Sequence, residues 1–368
     1  MKENNETMRI VNSYRSVRVA LLLVILFCSV SVALCETKVP VHFAVSLPLT
    51  GPAAAYGNAA RNGFILAKER FPAGFERIEI HFEDHQIKPS LAVTAYSSLR
   101  QRYPILAHYD FGSATSLALA PIAAQRGEIL ISSAYDPAVS KDKPTVYRFA
   151  NTTSDYAKVL LDELRARKFS HYTLVVTQNA FFEQFATTFK GLMNSDERVT
   201  ILEVSPSESD ISSIIPRVRQ RLKQGDALGL FMFTEQALTL LDRLAPLERE
   251  SLLFGTDSFE ELASTERRNP LTRGLIYPNN MVQPQFIRDY EERFKTTSHI
   301  TFAASTYELA LLLAEIVNKC GTCTTEHLMQ GLESTTTRYG AMGEFRFTNT
   351  PIAGKHFPSN IVLKPLPD

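Results

Sequence analysis

The sequence predicts an α/β protein of two doubly wound parallel-sheet lobes joined by a multi-strand hinge. Three observations carry that expectation. The chain has 368 residues, more than one core usually serves and enough for two lobes. From Val41 onward, short apolar runs alternate with amphipathic stretches of helical length, the pattern of parallel sheets covered on both faces by helices. After residues 146–150 the alternation restarts, and near the C-terminus it supplies more elements than a second sheet holds.

The run 41–47 reads as the first strand, and Ala60, Gly63, Phe64, Ala67 and Phe71 then recur at helical spacing. Ile78, Ile80 and Phe82 alternate as a second strand. Helices near 90–102 and 115–125 lead into strands at 104–107 and 129–132, which completes one lobe. Beyond it come a helix near 155–167, a strand at 172–177, a helix near 182–193 and a strand at 199–204. A helix ending near 223, a strand at 228–233, a helix ending near 244 and a strand at 252–254 fill the second lobe. Helices near 285–294 and 303–319 follow a sheet already full, so the chain is expected to return to the first lobe near 275–279. Extended stretches at 344–347 and 360–364 would cross back. The expected division is 36–149 plus 278–343 for the N-terminal lobe, and 150–277 plus 344–368 for the C-terminal lobe. Lobes tied by several strands rotate without separating.

Residues 1–35 read as a signal peptide: Lys2, Arg9, Arg15 and Arg18 precede the apolar run 19–27, which ends in small residues. The run is short for a membrane span, which needs about 20 residues, although an uncleaved anchor is the alternative. No later segment is expected to cross a bilayer. Lysine plus arginine number 39 and aspartate plus glutamate 39, so no net field recruits nucleic acid or an anionic membrane. Of the four cysteines, Cys28 lies inside the leader and Cys35 at its end. Lipid attachment at Cys35 is the less favoured reading, because Leu34 is large for the position before a lipidated cysteine. Cys320 and Cys323 form an isolated C-G-T-C. In an exported chain it reads as a local disulfide closing a helix end; no second ligand pair stands at zinc spacing.

Catalytic constellations are not found: the sequence carries no H-E-x-x-H, G-x-S-x-G, P-loop or G-x-G-x-x-G. His81 and His85 lie four apart beside Glu83 and Asp84, but the segment alternates as a strand, on which that spacing does not gather ligands. Neither a metal nor a cofactor is expected.

The segment LPLTGPAAAYGNAARNG, Leu47 to Gly63, resembles the opening of the leucine/isoleucine/valine-binding protein family, the type I periplasmic receptors of ABC importers. GSATS from Gly112, SSAYDP from Ser132 and FGTD from Phe254 are similar to later loops of that family, in the same order along the chain. All four segments end predicted strands, where open α/β sheets bind ligands.

The resemblance implies a cleft between the lobes that closes on a small carboxylate-bearing solute such as an amino acid, amide or aromatic acid. It implies that Tyr56 covers the ligand, that Ser113 holds its carboxylate, that Ala134 contributes backbone, and that Asp257 pairs with an ammonium group. Asp136 stands where the family often has threonine or serine, and Phe182 and Phe233 stand where amino-acid receptors carry tyrosines, which favours an apolar or aromatic body. Plainer roles stand beside these: Ser113, Thr115 and Asp257 as helix caps, Asp136 as a turn residue, and the two phenylalanines as core. The implied protein is a periplasmic monomer, not an enzyme, whose partner is the membrane permease of an ABC importer. A ligand-sensing accessory of a membrane signalling receptor is the alternative.

Overall fold

The computed structural model describes residues 39–51, 53–205, 211–244, 252–263 and 270–366. The expected signal peptide, with Cys28 and Cys35, lies outside the described residues.

The first lobe opens with Val41–Leu47 (β1), Ala54–Arg70 (α1), Ile78–Asp84 (β2), Pro89–Arg102 (α2), Ile105–Asp110 (β3), Ser113–Arg126 (α3), Ile129–Ser132 (β4) and Val146–Arg148 (β5). The second holds Thr153–Ala166 (α4), His171–Thr177 (β6), Ala180–Gly191 (α5), Arg198–Val204 (β7), Ile215–Lys223 (α6), Ala227–Phe231 (β8), Thr234–Leu244 (α7), Leu253–Gly255 (β9) and Ile276–Asn280 (β10). Pro284–Phe294 (α8), Ile300–Lys319 (α9) and Thr325–Glu333 (α10) follow, then the short strands Arg338–Gly340 (β11), Gly343–Phe345 (β12), Thr348–Thr350 (β13), Gly354–His356 (β14) and Ile361–Pro365 (β15).

Local chemistry sets the ends of these elements. Thr152 and Asp155 form a capping box that starts α4, and Gly127 at φ 66° ends α3 in the left-handed conformation. Central strands such as β4 and β8 are buried at every residue and therefore read as unbroken apolar runs.

The two sheets share one strand order. In the first, β5-β4-β3-β1-β2 run parallel and the hairpin β13-β14 extends the β5 edge. In the second, β10-β9-β8-β6-β7 run parallel and β15 pairs antiparallel with β10. Each order reverses once, between β1 and β3 in one lobe and between β6 and β8 in the other. A doubly wound sheet opens a crevice at that reversal, beyond the carboxyl ends of its strands.

Three segments cross between the lobes: after β5, after β10 and after β14. The first runs from the end of β5 at Arg148 to the start of α4 at Thr153. The second is later than expected, because β10 through Asn280 still belongs to the second sheet. The third is later still: β13 and β14 lie in the first sheet, so residues from 344 to His356 belong to the first lobe. Asn151 ties the crossings together. Its Nδ2 donates to Asn280 Oδ1 at 2.8 Å and to Ser359 Oγ at 3.3 Å, and its Oδ1 accepts from the Ser359 N–H at 3.0 Å.

Helix α9 has the length and apolar composition of a membrane span, contrary to the expectation for this region, yet most of that stretch is buried inside the protein. It lies on α1, where the Thr306 hydroxyl donates to the Ala60 carbonyl at 2.7 Å and Gly63 sits against Ala303. At its C-terminus Cys320 and Cys323 are joined as a disulfide, and the Arg77 guanidinium donates to the carbonyls of Val317, Cys320 and Gly321 at 3.3, 2.7 and 2.6 Å. A Cβ at Gly63 would collide with the Ala303 carbonyl and the Thr306 hydroxyl, and that backbone does not give way as a flexible side chain does. Gly63→Ala is therefore expected to destabilise the protein by about 1–3 kcal/mol, read as a lowered urea midpoint at unchanged slope.

Candidate functional site

The first-lobe wall of the crevice is built from the loops after β1 and β3. The β1 loop is pinned by Asp84, whose carboxylate accepts the N–H groups of Leu49 and Gln86 at 2.9 and 3.0 Å and the Thr50 hydroxyl. Tyr56, in the first turn of α1, stacks on His299 with centroids 3.8 Å apart and lies against Phe302 and Phe111 at 5.7 and 6.5 Å. Beyond β3, Gly112 adopts φ 107°, which only glycine takes readily, and its N–H donates to Ser133 Oγ at 3.1 Å.

Helix α3 then begins at Ser113 with no side-chain cap. The Thr115 hydroxyl points backward instead, donating to the carbonyls of Phe111 and Gly112 at 2.8 and 3.1 Å. The capping reading of Ser113 and Thr115 is thus set aside: the first turn keeps N–H groups that no helical carbonyl satisfies, the usual setting for an anion.

Two expected contributors are otherwise engaged. The Ala134 N–H donates to Ser132 Oγ at 2.9 Å, and its carbonyl accepts from Arg148 Nη1 at 3.3 Å. Asp136 accepts the Ala138 N–H at 2.8 Å and caps the short turn Pro137–Val139, its plainer role. The residue between them is the one that reaches across the lobes: the Tyr135 hydroxyl donates to Asp257 Oδ2 at 2.6 Å. Sequence reasoning missed it because a loop has no period that says which side chain faces the gap.

In the second lobe Phe182, in the first turn of α5, and Phe233, in the loop after β8, meet edge to face at 5.2 Å. Phe182 is buried in the core of this lobe, whereas Phe233 is 45 % exposed, so the core reading fits Phe182 alone. Asp257 follows β9 and opens a short 3-10 stretch; Glu260 in the same stretch accepts from Thr301 of α9 at 2.7 Å and from Lys364 at 3.3 Å. Tyr156 stands behind Tyr135 with centroids 4.9 Å apart and donates to Asn280 Oδ1 at 2.7 Å. A separate depression lined by His171, Lys190, Arg198 and Asp226 opens at the amino ends of β6 to β8, away from the crevice.

Burial governs the electrostatics. It pushes the Asp257 carboxyl up to about 6, with the charge of Glu260 adding to the rise and the Tyr135 hydroxyl opposing it. Burial and then the charges of Asp257, Glu261 and Glu260 raise the Tyr56 phenol, so Tyr56 stays a neutral donor. Burial also lowers Arg148 to about 10, where its guanidinium is still charged; it donates to Ser140 Oγ and to the carbonyls of Ala134 and Ala353. Beneath Gly112, the acid Asp110 is pushed up to about 7 by burial and accepts from Ser116 Oγ at 2.7 Å. His85 lies 3.6 Å from Asp110 and is held down to about 4, again by burial; it does not converge with His81.

The family described as periplasmic binding proteins matches residues 40–359, and the chain belongs to that family. Solved structures agree in fold. A leucine-binding protein from Thermotoga maritima superposes with a TM-score of 0.75 at 18 % identity, covering 89 % of this chain and 96 % of that one. An ABC-transporter solute-binding protein from Rhodopseudomonas palustris BisB5 in complex with 3,4-dihydroxybenzoic acid gives 0.76 at 15 % identity, over 89 % of this chain and 93 % of that one. A solute-binding protein from R. palustris in complex with benzoate gives 0.74 at 17 %, with the same coverage of 89 % and 93 %. A comparison with curated proteins finds no match.

Asp257 and Asp110 generate a pH dependence of stability whose sign follows from their raised values. Between the ordinary aspartate value of about 4 and their folded values near 6 and 7, each keeps a proton that the unfolded chain has released. The stabilisation present below about pH 4 is lost as pH rises through 6 and 7. Asp257→Asn is expected to flatten part of that decline, seen by comparing unfolding free energies of variant and parent from pH 4 to 8.

Proposed function

We propose that this protein is an extracytoplasmic receptor that captures a small carboxylate-bearing solute with an apolar or aromatic body and delivers it to the permease of an ABC importer. The observation that carries the reading is the opposition of the two sheet reversals: the uncapped start of α3 and Tyr56 on one side, Phe233, Phe182 and Asp257 on the other, with Tyr135 spanning the gap. In this reading the solute carboxylate lies on the N–H groups and hydroxyl of Ser113, where the helix dipole favours negative charge. Its body lies against Phe233, beside which Phe182 supports the ring, and Tyr56 closes the first-lobe side. Ala134 and Asp136 take no direct part, since their polar groups are already bonded.

Asp257 decides the ligand's other end. A carboxyl held near 6 is readily neutral in a closed crevice, which suits a monocarboxylate without an amine; an ammonium group would draw out its proton and form a charge-assisted bond. Leucine and aromatic acids appear with the similar structures, and both chemistries fit the same carboxylate end. The protein acts by binding alone, so ligand is recovered chemically unchanged.

Titration calorimetry with leucine, phenylalanine, benzoate and 3,4-dihydroxybenzoate at pH 5 and pH 8 tests this. At least one is expected to bind, and Ser113→Ala is expected to weaken it by more than about 1 kcal/mol. Phe233→Ala should weaken the aromatic ligands while leaving the fold intact. Amino acids should bind more tightly at pH 8 than at pH 5, and simple aromatic acids less tightly, with Asp257→Asn removing both trends. Unchanged affinity in Ser113→Ala and Phe233→Ala would remove the crevice from consideration.

A further inference from the structure

At the opposite end of the first sheet from the crevice, three metal-ligating side chains meet. His42 near the start of β1 stands in register with Glu79 on the parallel edge strand β2, and His81 follows Glu79 by two residues. Alternation along β2 therefore places Glu79 and His81 on one face, beside His42. His42 Nδ1 lies 3.0 Å from His81 Nε2 and 3.4 Å from Glu79 Oε2, and His81 Nε2 lies 3.8 Å from the same oxygen. Among the described residues this is the group of three ligating side chains whose donor atoms fall within one ion's reach.

We propose that His42, Glu79 and His81 form a binding site for one divalent transition-metal ion, of which Zn²⁺ is the fitting example. Bonds of about 2.0–2.1 Å at tetrahedral angles put ligand atoms about 3.3 Å apart, and the three separations bracket that value. Two imidazoles and one carboxylate select such ions over the harder Mg²⁺ and Ca²⁺, which take oxygen ligands.

The surroundings hold the ligands in place. The Tyr103 ring stacks on His81 with centroids 3.6 Å apart at 10°, and on His42 at 5.9 Å and 19°, so both imidazoles are fixed against one aromatic plane. Both histidines are half-buried and Glu79 is exposed, which leaves the outer coordination positions to water. The nearby cation, Arg102, is paired with Glu83 and turned over the Tyr103 ring at 5.6 Å, so its charge is partly offset. Binding would staple the edge strand to β1 and act on the lobe's stability without reaching the crevice.

The test uses the tag-free, chelator-stripped protein titrated with ZnCl₂ by calorimetry, together with thermal melting at rising zinc. One ion per chain is expected, with a melting midpoint that climbs as zinc exceeds the dissociation constant. His42→Ala and His81→Ala should each weaken binding by more than about tenfold, the scale found even for loss of an outer-shell partner, and Glu79→Gln should also weaken it. Cobalt substitution gives a visible d–d band in the parent that the His81→Ala variant lacks. Because Glu79 is exposed, Glu79→Gln keeps the fold and reports on binding even where a histidine variant unfolds. No zinc heat in the parent, or zinc binding undiminished in Glu79→Gln and in whichever histidine variants fold, overturns the site.

Discussion

Asn151 holds the position on which the two-lobe arrangement depends. Three chain segments pass between the lobes, and the side chains of Asn151 and Asn280 are buried among them, so their polar groups need partners. One side-chain amide meets that need for several at once, bonding Asn280 from the second crossing and both the hydroxyl and N–H of Ser359 from the third. Tyr156 adds a further bond to Asn280, and the Met281 N–H donates to the Asn360 carbonyl at 2.8 Å. A hinge of this kind sets the axis of any relative rotation while leaving the strand tips free to separate.

Much of this architecture is legible in the sequence. Strands such as β1, β4, β6 and β8 are buried on both faces and stand out as apolar runs, and the reversal of strand order follows once two such series are recognised. The third crossing is not legible: β13 is Thr348–Thr350 and β14 is Gly354–His356, two polar three-residue strands placed by the pairing of β14 with β5 and of β13 with β14, and not by pattern. Helix α9 resembles a membrane span in length and composition, since burial inside a lobe and burial in lipid select similar compositions, but its place after a full second sheet assigns it to the first lobe.

The site divides along the same line. The loops around the proposed site follow strands that the sequence marks, and the β6–β8 reversal brings Phe182 and Phe233, 51 residues apart in the numbering, to 5.2 Å. Which side chain within a loop faces the gap was not legible. Ala134 and Asp136 spend their polar groups on Ser132, Arg148 and Ala138, while Tyr135 between them crosses to Asp257. The ligating group at His42, Glu79 and His81 was hidden for a different reason: a spacing search along one segment pairs His81 with His85, whereas strand pairing supplies His42 from 39 residues away.

Tyr135 to Asp257 and Thr301 to Glu260 bridge the lobes, and in the proposed cycle both break on opening while the Asn151 cluster persists. A buried hydrogen bond contributes about 1 kcal/mol net, because water replaces the lost partner. Interactions of this size are within reach of a ligand that touches both walls, through its differential affinity for the two forms. Asp257 sharpens this balance. Burial holds it near 6, so at neutral pH its enclosure either traps a proton on it or confines its charge. In the proposed cycle a solute that bonds Asp257 in its preferred state would remove that cost only when the lobes are together, which would link the choice of ligand to the act of closing.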